Sequence, residues 1–286
     1  MKNKLKELHP FPLVLIMFII GAFSFIFISG IVSIFINFFQ PELAIKDLHL
    51  LADAYPVSYM LYFFMPFQLG FLLIPGGYYF LFLRERFKST KFKWKDIFWA
   101  SLLFTSLFFL LPLLNEINYN ITKIIGFYEI LVEQYNLNES RIQQLVGPES
   151  SLEAYIIGII IIAIITAISE EMLFRGFIMN HIYKHTNRIG LSIIGSALIF
   201  ALLHFNYLQL LPLIAFGIAL GLMYHVSGTI IPSIFFHAGN NTINLYWVRN
   251  EIEINWMNEI DWKITVPSII LLMGLVYCKR KKIKYK

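Results

Sequence analysis

Residues 11–39 run for 29 positions without one charged side chain. About 20 apolar residues already cross the ~30 Å hydrocarbon core of a bilayer. Seven further apolar segments follow this one, and a soluble core of this size has no room to hide them. The eight are Phe11–Phe39, Tyr59–Leu83, Ile97–Leu114, Ala154–Phe177, Leu191–Leu208, Leu210–Tyr224, Thr229–Val248 and Ile264–Cys278. The composition has the same origin. Hydrophobic residues make up 58% of the 286-residue chain and charged residues 14%, against roughly a quarter in soluble domains. Mean hydropathy is +0.67. The expected fold is all-α: a polytopic integral membrane protein with about eight transmembrane helices. A single integral membrane domain is expected over residues 1–286. A disordered chain and a coiled coil are excluded. The first span is too long for the roughly 7–15-residue apolar core of a signal peptide, and no A-x-A-like site follows it. The lone Cys278 excludes a disulfide framework and a cysteine-based zinc cluster.

The net charge of +5 is explained by where the Lys and Arg side chains fall. With the N-terminus inside, 17 of them lie in inner segments and 5 in outer ones; Arg175 lies within a span. The positive-inside rule then places both termini in the cytoplasm. The Lys-, Ile- and Asn-rich composition suggests a bacterial cytoplasmic membrane. The basic clusters at 2–6, 84–95 and 279–286 are topology signals facing anionic headgroups, so nucleic acid is not expected as a partner. Trp94, Trp99, Trp247, Trp256 and Trp262 fall at span ends or in flanking loops, as an interfacial belt requires. The longest outer loop is Asn115–Glu153, and its stretch Ile121–Tyr135 is expected to be an amphipathic helix on the membrane surface. Gly217 and Gly221 form a G-x-x-x-G pair suited to close helix packing.

Of the 41 charged residues, only Glu170, Glu171 and Arg175 fall inside spans. Each costs about 2.5–3.5 kcal/mol on insertion scales, so three on one helix require a reason. Glu171 and Arg175 stand at i and i+4, the favourable order for an ion pair on one helix face. Glu170 points about 100° away, with Phe174 at its own i+4 position. His204 on the fifth span and His237 on the seventh offer partners. Glu170 and His204 each lie 17 residues from Asn187, so a helical hairpin turning there sets them at one depth. Asn241 shares a helix face with His237. His181 and His185, also i and i+4, flank a cytoplasmic turn and are read as comfortable polar residues rather than a metal pair.

Such a set can hydrolyse a peptide bond. A buried carboxylate serves as base and then acid, an imidazole shares the water, and a second His with an Asn donates to the oxyanion. No G-x-S-x-G elbow surrounds Ser169, and the chain has no H-E-x-x-H. Intramembrane Glu and His also build the relays of transporters and proton-coupled carriers. A non-catalytic immunity or partner protein can occupy the same fold. Clustering of four polar groups, rather than a line of them, favours the enzyme.

Three motifs follow in order on the fourth, fifth and seventh spans: Glu170-Glu171-x-x-x-Arg175, Phe200-x-x-x-His204 and His237-x-x-x-Asn241. The core that bears them covers about 154–248. In this order they resemble the CPBP family, the CAAX-protease and bacteriocin-processing (Abi) intramembrane endopeptidases related to the type II CAAX prenyl protease. The resemblance implies that Glu170 and His204 activate water, that His237 and Asn241 stabilise the oxyanion or assist water or metal binding, and that Glu171 and Arg175 support them. It also implies a peptide or protein substrate in or at the membrane. A divalent metal such as zinc, held by Glu170, His204 and His237 with a water in the fourth position, and a metal-free water both fit these residues.

Overall fold

The computed structural model describes residues 10–39, 52, 54–83, 93–252 and 260–280. Ten helices occupy them and no strand occurs among them. They are α1 (Pro10–Phe39), α2 (Pro56–Phe82), α3 (Trp94–Phe108), α4 (Leu111–Ile124), α5 (Tyr128–Val146), α6 (Leu152–Thr186), α7 (Ile189–Leu203), α8 (Leu210–Ser227), α9 (Ile231–Arg249) and α10 (Trp262–Arg280). The expected all-α membrane protein is what forms. Large apolar side chains cover its outside: on α1 alone Phe18, Phe23, Ile26, Phe27, Ile34, Phe35, Phe38 and Phe39 are exposed. A water-soluble monomer does not carry a patch of that size.

Among the described residues four helices are long and apolar enough to cross a membrane: α1, α2, α6 and Tyr207–Ser227, which contains α8. The pair α3–α4, bent by 44°, makes a fifth. The count of eight is not reached. The 15 residues of α7 rise only about 22 Å, the apolar part of α10 is Trp262–Leu275, and α9 carries Ser233, His237, Asn240, Asn241, Thr242 and Asn244.

Three boundaries differ from expectation. The third span breaks at Phe109–Leu110, just before Pro112, which has no N–H to continue a ladder. The segment Asn115–Glu153, expected as the longest outer loop, is mostly helical, filled by the end of α4 and by α5, and Gly126 (φ 77°) interrupts the helix expected over Ile121–Tyr135. The fifth span stops at Leu203 rather than Leu208, because Phe205 takes a left-handed backbone (φ 52°). Trp94 and Trp262 are exposed at helix starts, but Trp99 is buried in a core and leaves the belt. Trp256, Lys46, the basic residues at 2–6, 84–91 and 281–286 lie outside the described residues.

The chain divides into two compact units. The first holds α1, α2, the end of α5, α6 and α9 from His237 onward. One of its cores gathers Tyr59 and Met60 of α2, Leu145 and Val146 of α5, Ala154, Ile161 and Ala163 of α6, and Leu245 of α9. A second joins Leu13 and Met17 of α1 to Tyr79 of α2 and Phe177 of α6. At Gly76 the backbone of α2 meets that of α6 so closely that a Cβ would stand 2.7 Å from the Leu173 nitrogen. The second unit holds α3, α4, α7, α8, the start of α9 and α10. Trp99, Leu103 and Leu107 of α3 pack there on Ala219, Leu220 and Met223 of α8. Gly217 admits Ala197 of α7 at 3.0 Å from where its Cβ would be, and Gly221 is buried on the same helix. The G-x-x-x-G pair thus belongs to a close helix-packing helix, as its spacing implies.

Candidate functional site

Helix α6 starts on Ser151, whose hydroxyl accepts a hydrogen bond from the Ala154 N–H at 3.1 Å. It continues to Thr186 and ends on Asn187, left-handed at φ 52°. Along Met172–Met179 the turns widen to π geometry, directly after the glutamate pair. Wide turns leave carbonyls misaligned with the next N–H. Here the Asn180 side chain answers them, donating to the carbonyls of Arg175 at 2.6 Å and Gly176 at 2.9 Å. On the other side, the close approach at Gly76 presses α2 onto Met172 and Leu173. The segment carrying Glu170, Glu171 and Arg175 is thereby held from within and from its neighbour.

Glu171 and Arg175 are fully buried, His237 is 2% exposed and Glu170 is 9% exposed. Arg175 Nη1 donates to Glu171 Oε1 at 2.7 Å. His237 Nδ1 lies 2.9 Å from that same oxygen. A guanidinium only donates, so Oε1 acts as an acceptor and the Nδ1–H of His237 donates to it as well. The second imidazole nitrogen, Nε2, then faces Glu170 Oε2 at 3.6 Å, too far for a direct hydrogen bond. The result is a continuous row, Arg175–Glu171–His237–Glu170, in which a buried carboxylate fixes the ring of a histidine and that ring faces a second carboxyl. A carboxylate that holds one imidazole nitrogen sets which nitrogen does chemistry. Glu171 therefore has a second task that its spacing to Arg175 did not reveal: it orients His237.

Asn241 follows His237 by one turn on α9, half-buried. His204 lies in the second unit, on the last turn of α7. Its Nδ1 is 2.7 Å from the Phe200 carbonyl, and a carbonyl only accepts, so Nδ1 carries a proton, which in the neutral ring leaves the lone pair on Nε2. The ring packs on Phe200, centroids 4.3 Å apart, and Phe200 is itself fully buried. The two fixed positions of the F-x-x-x-H motif thus act on one another twice, through a carbonyl and through a ring. Ser169 is buried with its hydroxyl donated to the Ile165 carbonyl at 2.7 Å. His181 is buried against Tyr79 and Phe177 while His185 is exposed, so the pair does not present two surface ligands. Among the described residues no three His, Cys, Asp or Glu side chains form a group able to hold a metal ion.

Two buried asparagines had no motif to mark them: Asn180 within the site helix, and Asn118 on α4. Asn180 carried one signal, its position five residues after Arg175 on the same helix.

Residues 152–243 match the model of the family described as Type II CAAX prenyl endopeptidase Rce1-like. That stretch is 92 of the 286 residues and contains Glu170, Glu171, Arg175, His204, His237 and Asn241. It is the group that the three motifs resemble. No curated protein and no solved structure matches the chain.

Proposed function

We propose that this chain is an intramembrane endopeptidase of the CAAX-protease type, which hydrolyses a peptide bond of a membrane-associated substrate with a water activated by Glu170 and His204. The observation that carries the reading is the buried row Arg175–Glu171–His237–Glu170, within the stretch that matches a prenyl endopeptidase family. A structural ion pair alone would need only Arg175 and Glu171. The histidine and second carboxyl added to it supply acid–base chemistry where water is scarce.

In this scheme Glu170 takes the proton of the attacking water, with the lone pair on His204 Nε2 orienting it. The water oxygen bonds to the scissile carbonyl carbon, whose oxygen becomes negative. Asn241 donates its amide hydrogens to that oxyanion. His237 spends Nδ1–H on Glu171 and turns Nε2 to the same oxygen, to which that nitrogen donates when it carries a proton. Glu170 then returns its proton to the leaving amine as the C–N bond breaks. Glu171 and Arg175 hold His237 in place.

The substrate is a peptide or protein in or at the bilayer, and both termini of the chain face the cytoplasm of a bacterial cell. The test is cleavage of membrane-embedded reporter peptides by the purified protein in liposomes. Glu170→Gln should lose about 10²–10⁴-fold in rate with its melting temperature unchanged. Wild-type cleavage by Glu170→Gln would refute the mechanism.

A further inference from the structure

His204 stands where a helix lets go. Helix α7 closes with the His204 N–H on the Ala201 carbonyl at 3.3 Å and the Phe205 N–H on the Leu202 carbonyl at 3.2 Å. Phe205 then swings into the left-handed region at φ 52°. The ring of His204 is fixed through Phe200, on its N-terminal side. On the C-terminal side the helix has ended, and the chain runs through Phe205 and Asn206 before the short turn Tyr207–Gln209 leads into α8.

That connection is fastened by one side chain from another helix. Asn118 of α4 is 3% exposed. Its amide nitrogen donates to the carbonyls of Tyr207 at 3.0 Å and Leu208 at 2.8 Å, and its oxygen accepts the N–H of Leu211 at 3.0 Å. Both amide protons and the oxygen are used on a span of five residues that begins three positions after His204. A loop anchored at three backbone points by one buried group has little freedom to shift. An exposed asparagine would fasten nothing, and a hydroxyl could not make all three bonds.

We infer that Asn118 is a positioning residue for His204: it clamps the α7–α8 connection and so keeps the end of α7, with the His204 ring, in its working orientation. The inference rests on the reading of His204 as a residue that orients the attacking water. Asn118 lies outside the stretch that matches the family, so the clamp is a feature this chain supplies from elsewhere in its sequence. A displacement of about 1 Å at a reacting group can cost about 10²-fold in rate, so loss of the clamp should cost roughly 10- to 100-fold in kcat with KM changed little.

The experiment uses the full-length chain, ¹⁵N-labelled at histidine in detergent micelles, with the His204 signals assigned by their disappearance in His204→Ala. The wild type should show one protonated and one bare ring nitrogen. In Asn118→Leu and in Asn118→Gln, which keeps an amide in the site and so retains the fold where Leu does not, the two signals should move towards each other as the helix end opens and the ring samples both tautomers. The same proteins are assayed on a pool of fluorophore-labelled transmembrane reporter peptides. His204 signals unchanged from wild type in a folded Asn118 variant would overturn the clamp, as would an unchanged kcat alongside a lowered melting temperature. Cleavage by His204→Ala at the wild-type rate would instead overturn the catalytic reading of His204, while the nitrogen signals still decide the clamp.

Discussion

The sharpest consequence of the buried row concerns Arg175. Its Nη1 is 2.7 Å from Glu171 Oε1 and both side chains are sealed from solvent. At that distance, with an effective dielectric constant of about 20, the Coulomb attraction alone is roughly 6 kcal/mol, before desolvation is subtracted. Breaking such a pair by removing one partner costs about 3–5 kcal/mol, because the other charge stays buried and unmatched. Arg175→Met should therefore lower the melting temperature in detergent by about 9–15 °C, at roughly 3 °C per kcal/mol for a chain of this size. Glu171→Gln should do similar damage by stranding Arg175. The double variant removes both charges and should recover most of the loss. Activity separates the two tasks of Glu171. A glutamine still offers an oxygen to the His237 N–H at this position, so Glu171→Gln should retain more cleavage per folded molecule than Glu171→Ala. If Arg175→Met melts within 1 °C of wild type yet no longer cleaves, Arg175 belongs to the chemistry and the reasoning fails. A double variant less stable than either single would contradict it too.

Replacing Glu170 by Gln and His204 by Ala together should be little worse than the poorer single change, because groups acting on one water fail as a unit; multiplicative losses in the reporter assay would separate their roles. At Gly76 a methyl group would stand 2.7–2.8 Å from the Leu173 backbone, so Gly76→Ala should destabilise by about 1–3 kcal/mol, whereas Gly30→Ala, with nothing within 4 Å, should be neutral or slightly stabilising in the same melting experiment. Reporter fusions after Lys286 and within Asn115–Glu153 should report opposite sides of the membrane, and agreement between them would discard the proposed orientation.

Much of this was legible in the residues, and the reasons differ from case to case. The Glu171–Arg175 contact follows from helical spacing alone, since i and i+4 must share a face. The apolar runs identify a membrane protein because no other solvent accepts residues 11–39. The link between His237 and Glu171 was not legible: it joins helices 66 positions apart, and spacing on one helix says nothing about the rotation of another. The i, i+4 spacing of His237 and Asn241 shows only that those two share a face, and carries no sign of the carboxylate on α6. Asn118 was hidden for a different reason. It is one of three asparagines within Asn115–Asn120, and only the burial of the middle one tells it from its neighbours. The end of α7 at Leu203 has no mark in the sequence either, because Phe205 is as apolar as the span before it, although its backbone (φ 52°) turns the wrong way for a helix.

The ion pair within α6 also bears on the order of events during synthesis. Glu171 and Arg175 are four residues apart, so their bridge forms as the helix itself forms and needs no other part of the chain. His237 is made 66 residues later, which at about 5–20 residues per second is roughly 3–13 s. Throughout that interval α6 enters the lipid with Arg175 already matched inside the same segment. Only the contacts from His237 await the ribosome. The helix is thus delivered to the bilayer in an almost neutral form, and the row that makes it a site is completed by the last part of the matched stretch to be translated.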